Sequence, residues 1–255
     1  MKIVFLSRVV FLGGVTTHLI DLSEEFIKQG HEVYLMSYGP RYKNSPENVA
    51  LFNKLLDTGI KFIEIDFPID KRSKIYYGLS LLKCLIKCHS ILRKYKFDII
   101  HVHTPILSFI PKVLGYKFVR TRHSLDKYLP FYDARASKEI AISLEVKNIL
   151  LSRFKYNDDE IYLINNGVSK NKYSIKYNVD QVLKFKDELG IDNHKIILGM
   201  VGTFEYNKGH DIFIEALSLL NRNFKEMIEV IFVGSSDSDS LFRINNLVKE
   251  KKIDN

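Results

Sequence analysis

Short apolar runs alternate with helical patterns along nearly the whole chain, and no other feature narrows the choice of fold as far. The runs Lys2–Leu6, Glu32–Ser37, Lys61–Asp66, Asp98–His103, Lys117–Arg122, Glu139–Ser143, Tyr162–Ile164, Ile196–Gly202 and Glu229–Val233 read as strands, with helical stretches between most of them. Several are continuously apolar, as expected when both faces of a parallel sheet are covered. This order predicts α/β architecture with a doubly wound sheet.

At 255 residues the chain can form one large domain or two small ones. A boundary is expected near Gly167–Tyr177, where Asn165-Asn166-Gly167 makes a turn and Ser169-Lys170-Asn171-Lys172 is polar. It divides a Rossmann-like domain, 1–170, from a second Rossmann-like unit, 171–255, in which only two strands are clear. Two strands with about three helices make a thin core. The second unit is therefore expected to lean on the first, or to be an incomplete version of something longer.

No apolar run approaches the roughly 20 residues of a membrane-spanning helix. Arg8 and Gly13-Gly14 come too soon after Met1 for a secretory segment, so a first strand is expected there. The two cysteines, Cys84 and Cys88, stand four apart in a helical pattern. They read as structural thiols in a reducing cytoplasm, since no other metal-type spacing accompanies them. The net charge of +8 suits an anionic partner, whether nucleic acid, nucleotide or anionic membrane.

Glu205-Tyr206-Asn207-Lys208-Gly209 joins an apolar run to an amphipathic stretch, Asp211 to Leu220. A lysine and a glycine where a strand meets a helix N-terminus suit a phosphate, because the amides are free and the helix dipole is positive there. Gly13-Gly14 sits before another helix start, Val15-Thr16-Thr17-His18-Leu19. It reads either as a close backbone approach to a ligand or as a tight turn. G-x-G-x-x-G is absent, and Ser37-Tyr38-Gly39 offers no carboxylate after the second strand, which counts against an NAD enzyme.

His101 and His103 alternate on one strand, so both rings share a face near the expected ligand crevice. Crevice lining or core packing outweighs a metal pair, for which no completing ligands follow. His123 ends the run Lys117–Arg122 and can hydrogen-bond a sugar hydroxyl or stand as a surface histidine. Segment 70–96 is basic. Ile75, Leu79, Leu82 and Ile86 form one helical stripe, expected to pack on the core, while Lys83, Lys87 and Lys94 line another face. That basic face is either solvated or set against anionic lipid headgroups. Nucleic acid fits less well, because no recognition motif accompanies the charge.

Taken in order, these pieces resemble the family 4 glycosyltransferases, which have the two-domain GT-B fold. The resemblance rests on Gly13-Gly14-Val15-Thr16-Thr17-His18-Leu19, on Gly30-His31-Glu32-Val33, and on Phe97-Asp98-Ile99-Ile100-His101-Val102-His103-Thr104. It continues through the serine-headed Ile142-Ser143-Leu144-Glu145-Val146-Lys147 and through Ile164-Asn165-Asn166-Gly167-Val168. It ends on the phosphate-loop-like stretch from Val201 to Asp211. It implies transfer of a sugar from a nucleotide-diphosphate donor with retention of configuration and without an essential metal or other cofactor. Lys208 matches the lysine that neutralises the leaving diphosphate, and Gly14 the glycine that meets the donor. Gly13, Thr203 and Gly209 fall beside these donor-binding positions. His123 matches the histidine near the reacting centre, and Thr17, His18 and His103 fall on the acceptor or crevice side.

Two departures qualify the match. Thr203 stands where the family often has an arginine, and the sequence reaches Asn255 without the two-glutamate motif that binds the ribose; Glu250 has no paired glutamate. The expectation is a shortened cytoplasmic enzyme of weak or no activity, peripheral at the inner face of a bacterial membrane, with a lipid-linked or cell-surface glycan as acceptor. The alternative is a non-catalytic subunit that binds acceptor or membrane while another chain supplies the rest of the donor site. A third reading is a truncated product that folds poorly.

Overall fold

The computed structural model describes residues 1–67, 74–124, 133–168 and 174–253. The chain separates into two compact units, Met1–Tyr173 and Ser174–Asn255. The division expected between residues 170 and 171, and the polar run Ser169–Lys172, lie outside the described residues.

In the first unit the elements run β1 (Lys2–Leu6), α1 (Gly14–Lys28), β2 (Glu32–Ser37), α2 (Pro46–Leu56), β3 (Lys61–Glu64), α3 (Lys74–Tyr95) and β4 (Ile99–Val102). A short 3-10 turn, Pro105–Ser108, then leads into α4 (Phe109–Val113), β5 (Val119–Arg122), β6 (Lys138–Ala141), α5 (Leu144–Ser152) and β7 (Ile161–Leu163). The seven strands form one parallel sheet in the order β3-β2-β1-β4-β5-β6-β7.

Strand alternation sends side chains to two faces, and each face has its own core. Ile3, Phe5, Val33 and Leu35 pack with Leu19 and Ile20 of α1 and Leu55 of α2. Val4, Leu6, Met36, Ile100 and Val102 pack with Cys84, Cys88 and Leu92 of α3 and with Ile110 of α4. Each such apolar side chain removed from water contributes about 1.5–3 kcal/mol. The two thiols are buried and form no disulfide, with Sγ atoms in hydrogen-bond contact at 3.9 Å. Helix starts follow local chemistry: Ser45 accepts from the Asn48 amide with Pro46 at the first helical position, and Ser143 accepts from the Val146 amide at 3.2 Å.

One sequence expectation fails. The stripe of Leu79, Leu82 and Ile86 does not pack on the core, for these residues are 58%, 55% and 63% exposed. Buried Cys84, Cys88 and Leu92 occupy the opposite side of α3. Helical spacing identifies a face but does not decide which face meets the sheet. Lys83, Lys87 and Lys94 border the exposed apolar stripe on the same outward side, and Lys87 pairs with Asp66 at 3.1 Å. The side chain of Ile75 lies outside the described set.

The second unit contains α6 (Val179–Glu188), β8 (Ile196–Val201), α7 (His210–Ser218), α8 (Arg222–Met227), β9 (Ile228–Val233) and α9 (Ser238–Glu250). Strands β8 and β9 are parallel and pair from Ile196↔Ile228 to Val201↔Val233. Phe204, Ile214 and Ile244 centre a small core with Phe232 and Leu247. The strand ends approach so closely that a Cβ on Gly234 would stand 1.8 Å from the Gly202 carbonyl oxygen, so that position admits only glycine.

Candidate functional site

In the first unit the strand order reverses at β1 and β4, where connections leave for opposite sides of the sheet. A crevice at the carboxyl ends of such strands is where open α/β sheets bind ligands. Gly13 precedes the first turn of α1 with no side chain capping it, and Gly14 is the first helical residue. The approach is held by Thr16, whose Oγ1 donates to the Phe11 carbonyl at 2.7 Å, and by Asn48, whose Oδ1 accepts from the Leu12 amide at 3.1 Å. Thr17 is exposed, its hydroxyl at 3.5 Å from the Gly13 carbonyl. The first-turn amides of α1 thus form a positive end.

His103 continues the ladder one residue past β4, donating its backbone N–H to Leu6 at 2.9 Å. His101 and His103 share the α1 face with Phe5, whose ring lies edge-on to both at 5.6 and 5.0 Å between centroids. On neighbouring β5 the same face carries Thr121 and then His123. His101 Nε2 lies 2.8 Å from the Thr121 hydroxyl, and His103 Nδ1 lies 3.1 Å from His123 Nε2. His18, one turn into α1, completes the group with its ring 4.9 Å from His123 and 5.6 Å from His103. The fold therefore unites His18, His103 and His123 at the carboxyl ends of β4 and β5 and sets His101 beneath them.

Burial governs their protonation. It pushes the His101 imidazole down to about 3, and the neighbouring His18 and His123 rings add to this. His103 lies well below the ordinary histidine value, again chiefly through burial. Burial, followed by His18, brings His123 down to about 4. His18 is lowered by burial against a partial opposing pull from Asp21. Near neutral pH all four rings are uncharged, and each can donate from one nitrogen and accept at the other. The Nε2 atoms of His18 and His103 are buried without a hydrogen-bond partner.

The opposite face of β5 holds a charged cluster that periodicity did not reveal. Fully buried Arg120 donates from Nε to Glu139 at 2.9 Å and also bonds Asp133 through Nη1. Arg122 grips the same Asp133 at 2.9 and 3.0 Å. The Tyr156 hydroxyl oxygen accepts from Arg120 Nη2 at 3.4 Å and from the Ala136 amide at 2.8 Å. The carboxylates outweigh desolvation and hold the Arg120 guanidinium charged. This cluster fixes the backbone immediately before His123. Two arginines alternating within a predicted strand were its one visible signal.

In the second unit a 3-10 turn, Tyr206–Lys208, follows β8 and leads into α7. Gly209 takes φ +81°, a left-handed conformation that other residues adopt at a cost, and no side chain caps the helix start. Lys208 is exposed, with its stem beside Gly202. Among the described residues no carboxylate pairs with its ammonium. Thr203 Oγ1 is buried without a partner. Arg243, which sequence reasoning missed, braces this loop from α9: it donates to the Phe204 carbonyl at 2.7 Å, pairs with Asp211, and lies 3.8 Å over the Tyr206 ring. The arrangement leaves an ammonium and helix-terminal amides at one end of α7, a combination suited to phosphate oxygens.

Comparison with known proteins gives two family matches: Glycosyltransferase Family 4 over residues 12–172, and Glycosyl transferases group 1 over residues 181–255. An uncharacterized glycosyltransferase of Methanocaldococcus jannaschii is 24% identical over 253 residues, which cover 89% of this chain and 60% of that protein. The alpha-monoglucosyldiacylglycerol synthase of Acholeplasma laidlawii is 22% identical, over 94% of this chain and 65% of its own. The chain thus spans less than two thirds of these curated relatives. The crystal structure of Anabaena HepE in complex with UDP and glucose superposes with a TM-score of 0.74 at 18% identity, over 100% of this chain and 67% of that one. The fold is of the GT-B type, as the sequence resemblance implied.

Proposed function

Because this chain belongs to Glycosyltransferase Family 4, we propose that it serves the transfer of a sugar from a nucleotide-diphosphate donor to a lipid-linked or cell-surface glycan acceptor, with retention at the anomeric carbon. The observation that carries this reading is the loop ending at Lys208 and Gly209, an exposed ammonium beside uncapped helix amides. As the glycosidic bond breaks, negative charge grows on the departing diphosphate. A fixed cation and oriented dipoles stabilise that charge more than they stabilise the bound ground state. In this reading Gly13 and Gly14 offer the amides of α1 to the donor, and Thr203 lines its phosphate loop. His123 hydrogen-bonds the sugar as a neutral imidazole, with His103 behind it. Thr17 and His18 face the acceptor side. Lys208 and the helix ends supply the positive charge, and no metal is assigned a step. UDP and glucose bound to the Anabaena protein support a nucleotide-sugar donor.

The acceptor side points to a membrane. Among the described residues no helix is long and apolar enough to cross one. Yet α3 presents Leu79, Leu82 and Ile86 outward beside Lys83, Lys87 and Lys94, and Ile86 with the three lysines lines a hollow of about 550 Å³. Apolar residues at the acyl boundary with lysines at headgroup level describe a peripheral contact with an anionic leaflet. A lipid-linked acceptor fits that placement, as does a location at the inner membrane face. The name of the Acholeplasma relative, a diacylglycerol-lipid synthase, agrees with it.

A second reading is favoured by β8 and β9, whose Ile196, Val201 and Val233 are more than half exposed. There the sheet is continued by a complementing chain that carries the family's paired glutamates, and this chain supplies acceptor and membrane contacts. Adding such a half would raise donor affinity under this reading and leave it unchanged under the first.

The loop is tested by Lys208→Ala and calorimetry with UDP and GDP. Loss of a charged hydrogen bond to diphosphate should weaken binding by about 1.5–3 kcal/mol. Equal affinity in the two proteins removes Lys208 from the donor site.

A further inference from the structure

We propose that His18, His103 and His123 form a three-nitrogen site for a borderline divalent cation of the zinc class, and that an occupied site withdraws His123 from the sugar. One nitrogen from each ring lies within 4.8 Å of the other two. In a tetrahedral site with zinc–nitrogen distances of about 2.0–2.1 Å, ligand nitrogens stand roughly 3.3 Å apart. His103 Nδ1 and His123 Nε2, at 3.1 Å, already hold nearly that separation. Only the His18 ring has to close in, and it does so from a helix surface.

The frame around the cluster is rigid. His103 is fixed by its backbone bond to Leu6 and by the Phe5 ring, and His123 follows the strand that Arg120 and Arg122 anchor. Donor chemistry selects the ion. Three imidazoles with no carboxylate in the set do not suit magnesium or calcium, which take oxygen ligands. They suit zinc, copper or nickel. The buried Nε2 of His18, which has no hydrogen-bond partner, gives a second, independent pointer. It shows that this pocket holds imidazole hydrogen-bonding capacity that the protein itself does not use. Coordination through Nδ1 uses the neutral His103 tautomer with its proton on Nε2, so binding there releases no net proton. Three protein ligands leave a fourth position for water, the arrangement of an open site.

The metal site stands on this geometry alone. Its inhibitory consequence rests on the reading of His123 as the sugar contact. The same His123 nitrogen edge cannot hold a cation and remain placed for a hydroxyl.

The test uses untagged protein in chelator-free buffer, titrated with zinc chloride by calorimetry and with cobalt(II) by visible absorption. One equivalent should bind at micromolar concentration or tighter, and cobalt should show the intense d–d bands of tetrahedral coordination. His18→Ala and His123→Ala, checked for folding by circular dichroism, should each weaken binding by about tenfold or more. His194→Ala, exposed and in the other unit, should not. Binding only at millimolar zinc, or binding undiminished in both cluster variants, overturns the site. Zinc binding that depends on His123 but leaves nucleotide-sugar affinity untouched keeps the site and overturns the sugar contact instead.

Discussion

Lowering the pH from about 8 to about 5 should destabilise the first unit by an amount the histidine cluster sets. The native state holds His101 near 3 and His123 near 4, against an ordinary value of about 6.5 in the unfolded chain. The unfolded chain therefore binds more protons across this interval, and stability falls with pH. The contribution is complete above about 6.5 and is lost progressively as pH drops toward the folded values. Integrating over the interval, each ring removes about 2 kcal/mol by pH 5, and the pair about 4 kcal/mol. His18 and His103 shift in the same direction and add to the loss. Against a total of about 5–15 kcal/mol, such a change is large. Urea denaturation followed by far-ultraviolet circular dichroism measures it, since the chain has no tryptophan to report. His101→Gln keeps an amide near Thr121 but does not titrate, so its loss over the same interval should be smaller by about 2 kcal/mol. A pH-independent stability, or the same slope in the variant, refutes the assignment of these rings as buried and neutral.

Two further outcomes follow from the surface and the interior. Replacing Lys83, Lys87 and Lys94 by glutamine should cut binding to anionic vesicles by up to about 3 kcal/mol, and Leu82→Ser with Ile86→Ser should weaken the part that survives high salt; unchanged sedimentation with vesicles assigns α3 to solvent. Glu139→Leu strands Arg120 in the interior with Asp133 as its shared remaining counter-charge, and should cost about 3–5 kcal/mol by urea denaturation; a cost below about 1 kcal/mol means that water reaches the cluster.

The fold was legible where burial is two-sided. Apolar runs located β1 and β2 to within a residue or two, because both faces of those strands meet side chains; equally apolar runs located β8 and β9, although no residue of either strand is buried. Runs that carried polar ends, such as Asp98–His103, shortened to the paired residues Ile99–Val102. The outward face of α3 was misassigned because Cys84, Cys88 and Leu92, not Leu79, Leu82 and Ile86, line the sheet side. The site was half legible. His101, His103 and His123 were visible as residues at strand ends, but the convergence of His18 with them depends on the first turns of α1 reaching the ends of β4 and β5, a relation that no local pattern encodes. Arg243 and Asp133 act through partners 32 and 11 residues away, and spacing does not announce such pairs.

Asp133 serves two arginines at once while Glu139 serves one of them, so two cations and two anions balance as a set. This balance restricts how the sequence can drift. Any one-step change leaves an odd charge sealed from water, whereas a concerted exchange of several members for oily residues would be tolerated. Descendants of this chain should keep the quartet intact or abandon it together, and a lineage caught between the two states should carry a rescuing change at one of the other three positions.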